Sequence, residues 1–358
     1  MVKIASVEVV PYALPFREPY VTARGRLEQR EMVLLRLRDA DGLVGLGEAV
    51  PLSLRGGAGL AQVVEELKRL GEWGELDEGT LRASSLSPPA RCAALTALLD
   101  MRGRSAERSS FVVPGATSSE RDAPVRCNAT LVAGEPTAVA AEAERWAADG
   151  FSTFKLKLGA GDDIGQVRAV REAVGPEARI RIDANASWGV EVAKRTLAAL
   201  EPFDVELAEQ PVASLEESAA LTASTTIPIA GDESIESRAD AERAIEIGAC
   251  ALAGLKLSKV GGPEAAIEIA EVLPSYLSSA LDGPVGIAAA AQVAQTLDQT
   301  AGEGGEGASL AHGLATQRLF ASTIAAVECE LRDGMLHPPT GPGLGVEIDE
   351  ASLEAHRL

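Results

Sequence analysis

Two lysines one residue apart and three acids that each close a short apolar run are the residues of this chain whose types and spacing suit chemistry. The lysines are Lys155 and Lys157 in 154-FKLKLG-159; the acids are Asp183 in IDAN, Glu209 in AEQP and Asp232 in GDES. Residues two apart on a strand face the same side. Both ammonium groups therefore share one face, and Phe154, Leu156 and Leu158 take the other. An apolar interior rejects a lysine unless something compensates its charge. Lys256 closes another such run in 254-GLKLSK-259, while Lys259 falls in the turn KVGG and reads as a loop charge. Adjacent barrel strands lie about 4.8 Å apart. Three carboxylates at neighbouring strand ends thus reach one divalent cation of the Mg²⁺ type, with lysines opposed across it. A lone strand-end acid is usually a helix cap or a surface charge, but three in successive units would repel one another without a cation. The chemistry that fits is removal of a proton next to a carboxylate. A lysine is the base, its pKa depressed by the metal and a second ammonium, and the metal stabilises the enediolate.

The elements that must position these groups follow from periodicity. From Val125 onward, short apolar runs alternate with amphipathic stretches at a period of roughly 25 residues, as in a β/α unit. The strand candidates are 125-VRCNATL-131, 153-TFKLKL-158, 179-RIRIDA-184, 204-DVELAE-209, 227-IPIAGDE-233, 251-ALAGLKLS-258, 276-YLSSAL-281 and 308-ASLAHGL-314. Eight such units close a (β/α) barrel, an α/β fold with helices such as 136-PTAVAAEAERWAADG-150 outside.

Residues 1–50 read as a three-stranded antiparallel meander with a hairpin turn at Asp41-Gly42. Two loops interrupt it or follow it. They are 15-PFREPYVTARGRLEQR-30, too polar and too rich in Arg and Gly for an element, and 51-PLSLRGGAG-59. Helical spacing appears at 60–71 and 89–101, and the Ser-, Arg- and Pro-rich stretch 104–125 looks like a boundary. The expected organisation is an α+β capping domain over 1–124, the barrel over 125–323 with a flexible Gly-rich loop at 302–308, and a tail, 324–358, that returns to the cap.

The bulk numbers limit the partners. The 358 residues and 46% hydrophobic content suffice for a sizeable core. A formal net charge of -20 argues against nucleic acid or an anionic membrane surface. The four cysteines, Cys92, Cys127, Cys250 and Cys329, are widely spaced, without a disulfide or zinc pattern. The start, MVKIASVEVVPY, alternates like a strand and lacks a secretory pattern, and no long apolar run suggests a membrane span, so the cytoplasm is the expected location. The expected partner is a small carboxylate; the oligomeric state is unknown.

In combination these motifs resemble the muconate-lactonising subgroup of the enolase superfamily. FKLKLG is similar to its KxK strand, IDAN, AEQP and GDES to its three metal strands, and GLKLSKVGG to its sixth-strand lysine. The cap motifs 45-GLGEA-49 and 91-RCAALTALLD-100 extend the likeness over nearly the whole chain. Within the subgroup, 278-SSALDGPVGIAAAAQVA-294 and 311-AHGLAT-316 resemble actinobacterial-type o-succinylbenzoate synthases of menaquinone synthesis; 311-AHGLATQRLF-320 lacks the DxD pattern usual in dipeptide epimerases.

The resemblance implies a Mg²⁺ or Mn²⁺ site at Asp183, Glu209 and Asp232. It also implies a syn dehydration in which Lys157 removes the α-proton and then protonates the departing hydroxyl. Lys155 tunes Lys157, and Lys256 stabilises the enediolate from the opposite face. Ser278 and Ser279 are candidates for the succinyl arm, and Asn128 and Asn185 for supporting hydrogen bonds. His312 departs from the pattern, standing where similar sequences often have a small residue; it reads as contacting substrate or packing. The loops around Phe16–Arg26 and Pro51–Gly59 carry no sharp signature. An N-acylamino acid racemase or dipeptide epimerase begins with the same proton abstraction. An aldolase would also place a lysine inside a barrel but would not need the acids. A non-catalytic binding barrel remains the alternative of another class.

Overall fold

In the computed structural model, residues 1–22, 25–53, 56–108, 123–302 and 310–358 are described. Strands Val2–Thr22, Gly25–Asp39 and Val44–Ala49 form the meander, with a short fourth strand, Glu75–Leu76, beyond the first. The turn at Asp41-Gly42 forms as its sequence dictates: Leu43 N and Asp41 N donate to Asp39 Oδ1, and Gly42 takes a φ of 88°.

The supposed loop 15–30 is instead largely ladder. Leu14 pairs with Arg30, Pro15 with Gln29 and, past a register shift, Tyr20 with Leu27 and Thr22 with Gly25. Polar composition misled there because a two-stranded ribbon satisfies its backbone whatever its side chains are. Within the two loops singled out in the sequence, Ala23, Arg24, Leu54 and Arg55 lie outside the described residues, as do most of the 104–125 boundary and the Gly-rich 303–309.

Helix Pro88–Ser105 packs across the meander at close range. A Cβ on Gly45 would stand 2.1 Å from Ala97 O, and one on Gly47 2.0 Å from Ala93 O, so only glycine permits this approach. The same helix meets the turn after Lys256, where a Cβ on Gly262 would stand 2.9 Å from Leu95 Cδ1.

The barrel sheet is parallel and runs, in sequence order, Ala129–Leu131, Thr153–Lys157, Arg179–Asp183, Val205–Glu209, Ile229–Gly231, Leu252–Leu255 and Ser275–Leu277. Its ring is closed by single bridges, Cys127 to His312 and Ser278 to Gly313. Together with its outer helices this is the α/β barrel architecture expected. The first and eighth strands differ from expectation. Val125–Arg126 turns away to pair with Met335–His337 of the tail, and the expected eighth strand is reduced to the bridging pair, residues 308 and 309 being outside the described part. The tail also touches the meander: Ala13 N donates to His356 O and Leu358 N to Pro11 O.

The outer helices carry their own start signals. Ser214 and Glu217 form a reciprocal capping box on Leu215–Thr222, and Ser237 caps Arg238–Glu246. Outward-facing Phe154, Leu156, Ile180 and Ile182 are buried in the main core beneath the helices. Inside the ring, Leu207, Ala230, Leu252 and Tyr276 form a separate small cluster that floors the site. Among the described residues no helix is long and apolar enough to cross a membrane.

Candidate active site

Strand register sets the geometry. Lys157 is level with Asp183, and Asp183 with Glu209, each the last residue of its strand. Ala230 is level with Glu209, so Asp232 stands two residues further on, on the same inward face, just past its strand. Lys256 likewise follows Leu252–Leu255 and opens the short helix Leu257–Val260. All three acids are fully buried, and Lys155, Lys157 and Lys256 are nearly so.

Ammonium groups bridge the acids. Lys155 Nζ lies 2.5 Å from Glu209 Oε2 and 2.9 Å from Asp183 Oδ2, and Lys157 Nζ lies 2.6 Å from Asp183 Oδ2. Lys256 pairs with Asp232, and so does Lys259, whose Nζ is 3.0 Å from Asp232 Oδ1 and also donates to the Asp232 carbonyl. Lys259 is therefore not the loop charge its turn suggested. It sits three residues after Lys256, one helical turn on, which returns it toward the same acid; that spacing was the signal available in the sequence.

Taking several ions out of water costs several kcal/mol each even after relaxation. The cluster is thus weak evidence for stability and stronger evidence for use.

The electrostatics of the pair differ from the sequence expectation. Burial is the largest single influence and lowers the Lys157 pKa, but Asp183, Tyr20 and Glu209 together outweigh it and the net shift is upward; Lys155 is likewise raised, chiefly by Asp183 and Glu209 acting against burial. Burial raises the Asp183 carboxyl, and Lys155 and Lys157 reverse this and hold it well below the usual range. The expected depression of the lysine pKa rested on a nearby Mg²⁺ and a second ammonium, and the acids alone act the other way.

The donor atoms of the acids decide whether they suit Mg²⁺. Among the described residues, no three His, Cys, Asp or Glu side chains form a ready metal cluster, because lysines stand between these acids. Even so, Glu209 Oε1 is buried without a hydrogen bond, its closest ion-pair contact being Lys256 Nζ at 4.0 Å. Three hard carboxylates on adjacent strand ends, one with an unused buried oxygen, are a donor set that fits Mg²⁺.

Supporting groups fix the acids. Tyr276 donates its hydroxyl to Glu209 Oε2 beneath the site, and Arg181 stacks over the Tyr276 ring at 5.0 Å. Asn185, at a φ of 48°, donates its backbone N–H to Asp183 Oδ1 and accepts from Lys157 Nζ at 3.1 Å. Gln210 was missed in the sequence. Its Oε1 accepts from Asp232 N at 2.7 Å and from Ser234 Oγ at 2.9 Å, so the glutamine of AEQP holds the GDES turn.

Above these groups is a cavity lined by Lys155, Lys157, Lys256, Asn185, Ser278 and Ser279, with Tyr20, Arg30 and Leu52 contributed from residues 1–53. Ser279 Oγ exchanges hydrogen bonds with Asp282. Asn128, by contrast, does not line the cavity: it is fully buried, its Nδ2 donating to Ala129 O. His312 is buried in the closing seam, where Nδ1 accepts from Leu277 N at 2.9 Å and Nε2 lies 3.2 Å from Asp298 Oδ1. It packs and does not line the cavity.

Known proteins resemble this chain in sequence and fold. Residues 4–111 match the model of the mandelate racemase/muconate lactonizing enzyme N-terminal domain, and residues 138–352 match that of the enolase C-terminal domain-like family. An o-succinylbenzoate synthase of Thermobifida fusca is 36% identical over 56% of this chain and 64% of its own length. Muconate cycloisomerase 1 of Pseudomonas putida is 29% identical over 96% of each chain. The structure of a dipeptide epimerase from Enterococcus faecalis, in complex with Mg and the dipeptide L-Leu-L-Tyr, is similar with a TM-score of 0.86 at 27% identity, covering 96% of this chain and 99% of that one. Relatives of the three kinds share the fold and differ in reaction.

Proposed function

The chain belongs to the enolase superfamily, and from that membership we propose that it is a Mg²⁺-dependent o-succinylbenzoate synthase of menaquinone synthesis. It would dehydrate 2-succinyl-6-hydroxy-2,4-cyclohexadiene-1-carboxylate to 2-succinylbenzoate. The observation that carries this choice within the family is the charge of the cavity wall. Lys155, Lys157, Lys256 and Arg30 line it, and no Asp or Glu does so among the described residues. Such a wall suits a substrate bearing two carboxylates and opposes one bearing a free ammonium, as a dipeptide does.

In this reading Lys157 takes the α-proton, and the resulting ammonium returns it to the hydroxyl as the carbon–oxygen bond breaks, releasing water. Lys155, bridging Asp183 and Glu209, keeps Lys157 at the substrate side, and Lys256 faces the enediolate with positive charge from the other wall. Asp183, Glu209 and Asp232 would hold the Mg²⁺, whose charge would compete with the lysines for the Asp183 carboxylate and would stabilise negative charge on the substrate carboxylate.

Racemisation of N-succinylamino acids is the second reading. It is favoured by Lys256, a second candidate base that lines the same cavity as Lys157. The deciding experiment is assay of the cyclohexadiene substrate beside α-proton exchange of N-succinylamino acids in D₂O. Fast dehydration supports the synthase, whereas rapid exchange without dehydration transfers the assignment to the racemase.

A further inference from the structure

The floor of the ring holds a polar group that the proposed reaction does not use. Tyr276, on strand Ser275–Leu277, is fully buried among Leu207, Ala230 and Leu252. A buried phenol needs a partner for its hydroxyl. Here the partner is Glu209 Oε2, an oxygen of one of the three clustered acids.

Two neighbours fix the ring. The Arg181 guanidinium, itself fully buried, stands 5.0 Å from the ring centroid. It is held in turn by Ala311 O, which accepts from Nη1 at 2.6 Å, and by Glu206, which accepts from Nε. On the adjacent strand Gly254 is level with Tyr276, and a Cβ there would stand 3.0 Å from the hydroxyl oxygen and 3.1 Å from Cζ. The lack of a side chain at Gly254 therefore makes room for the phenol where it meets Glu209.

The consequence falls on the two oxygens of Glu209. Oε2 accepts from Tyr276 and from Lys155 Nζ at 2.5 Å. Among the described residues Oε1 accepts no hydrogen bond, and Lys256 Nζ lies 4.0 Å from it. Lys155 divides its ammonium between Glu209 and Asp183 Oδ2, the latter at 2.9 Å, and its flexible stem lets it turn wholly to Asp183. The packed phenol has no such freedom, so it keeps Oε2 occupied whichever way Lys155 turns.

How many oxygens a carboxylate offers decides which cation it suits. Ca²⁺ takes about 6–8 oxygens at roughly 2.3–2.6 Å and accepts both oxygens of one carboxylate, whereas Mg²⁺ demands near-octahedral geometry at about 2.0–2.1 Å and keeps several waters. We propose that Tyr276 is a positioning residue that holds Glu209 Oε2, leaves Oε1 alone to face a cation, and thereby makes the site select Mg²⁺ over Ca²⁺. This rests on Glu209 being a metal ligand, which the synthase and racemase readings share, and not on which of the two reactions follows.

Titration calorimetry of the intact protein, stripped of metal with a chelator, against Mg²⁺ and against Ca²⁺ tests the proposal without turnover. The unaltered protein is expected to bind Mg²⁺ more tightly. Tyr276→Phe keeps the ring and its packing and removes only the donor. The ratio of the two affinities is expected to move about tenfold toward Ca²⁺, the lower end of what supporting groups of metal sites are worth. Gly254→Ala keeps the hydroxyl but crowds it, and is expected to move the ratio the same way by a smaller factor; it decides the matter if thermal melting shows that Tyr276→Phe does not fold. A purely structural role for the ring would weaken both cations by one factor. Equal weakening of both, or an unchanged ratio, overturns the proposal and leaves the three acids as ligands. Failure of the unaltered protein to bind Mg²⁺ overturns the metal site and the proposal together.

Discussion

Lys157 and Asp183 are level partners on adjacent parallel strands, with Nζ 2.6 Å from Oδ2 and both groups closed off from bulk water. One contact thus joins the base of the proposed reaction to an acid of the proposed metal site. Anything that alters the charge at Asp183 alters the proton affinity of Lys157.

Replacing Lys157 by Ala removes the proposed proton carrier while leaving Lys155 to pair with Asp183. The expected result is a fall in dehydration rate of about 10²–10⁴-fold or more, the usual worth of a positioned acid–base group, with a melting temperature close to that of the intact protein. Deuterium uptake at the α-carbon should disappear together with turnover. A Lys157→Ala protein that still exchanges this proton at the normal rate would remove the lysine from the mechanism.

Gln210 offers a separate route to the metal site because it touches Asp232 only through the backbone N–H. Substituting Leu leaves that N–H and Ser234 without their acceptor. Mg²⁺ affinity is expected to drop about 10–100-fold, as for other supporting shells of metal sites. Asp232→Asn, which changes a proposed ligand itself, should weaken Mg²⁺ at least as much. Titration calorimetry with Mg²⁺ measures both; unchanged affinity in both variants would take Asp232 out of the ligand set.

Glu48 makes stability depend on pH. Burial and the neighbouring Asp282 charge, only partly offset by the hydrogen bonds from Tyr12, Gly283 and Gly286, leave its carboxyl raised from 4.5 to about 7 in the folded chain. A carboxyl raised in this way binds its proton more tightly folded than unfolded. Its stabilising contribution is therefore full below about pH 4.5 and lost as pH rises through about 7, a span worth about 3 kcal/mol. Glu48→Gln is expected to flatten the decline in stability between pH 5 and pH 8, read from denaturant melts at several pH values. Parallel slopes for the two proteins would rule out Glu48 as the source; Asp282, raised in the same sense, accounts for a residual slope.

The lysines and acids were legible because alternation is a strong constraint: FKLKLG can bury Phe154 and Leu156 only by turning Lys155 and Lys157 inward. The acids were legible as polar ends of apolar strands. What escaped the sequence has physical reasons. Lys259 looked like a turn charge because a four-residue helix leaves little periodicity to read. Gln210 escaped because its task is a side-chain bond to a backbone 22 residues away. The ribbon from Pro15 to Arg30 was read as a loop because pairing between two polar strands leaves no apolar alternation.

The two-residue seam at His312 and Gly313 makes the ring mechanically uneven. Five residue pairs join Thr153–Lys157 to Arg179–Asp183, while one bridge on each side joins the seam to its neighbours. Local opening is expected to start at the seam, with amide hydrogen exchange showing Gly313 N–H exchanging before Leu156 N–H. On the proposed function, the side bearing Ser278 would be the arc that adapts to the acyl arm of the substrate and the charged cluster opposite the arc that holds its geometry, two tasks on different parts of one wheel.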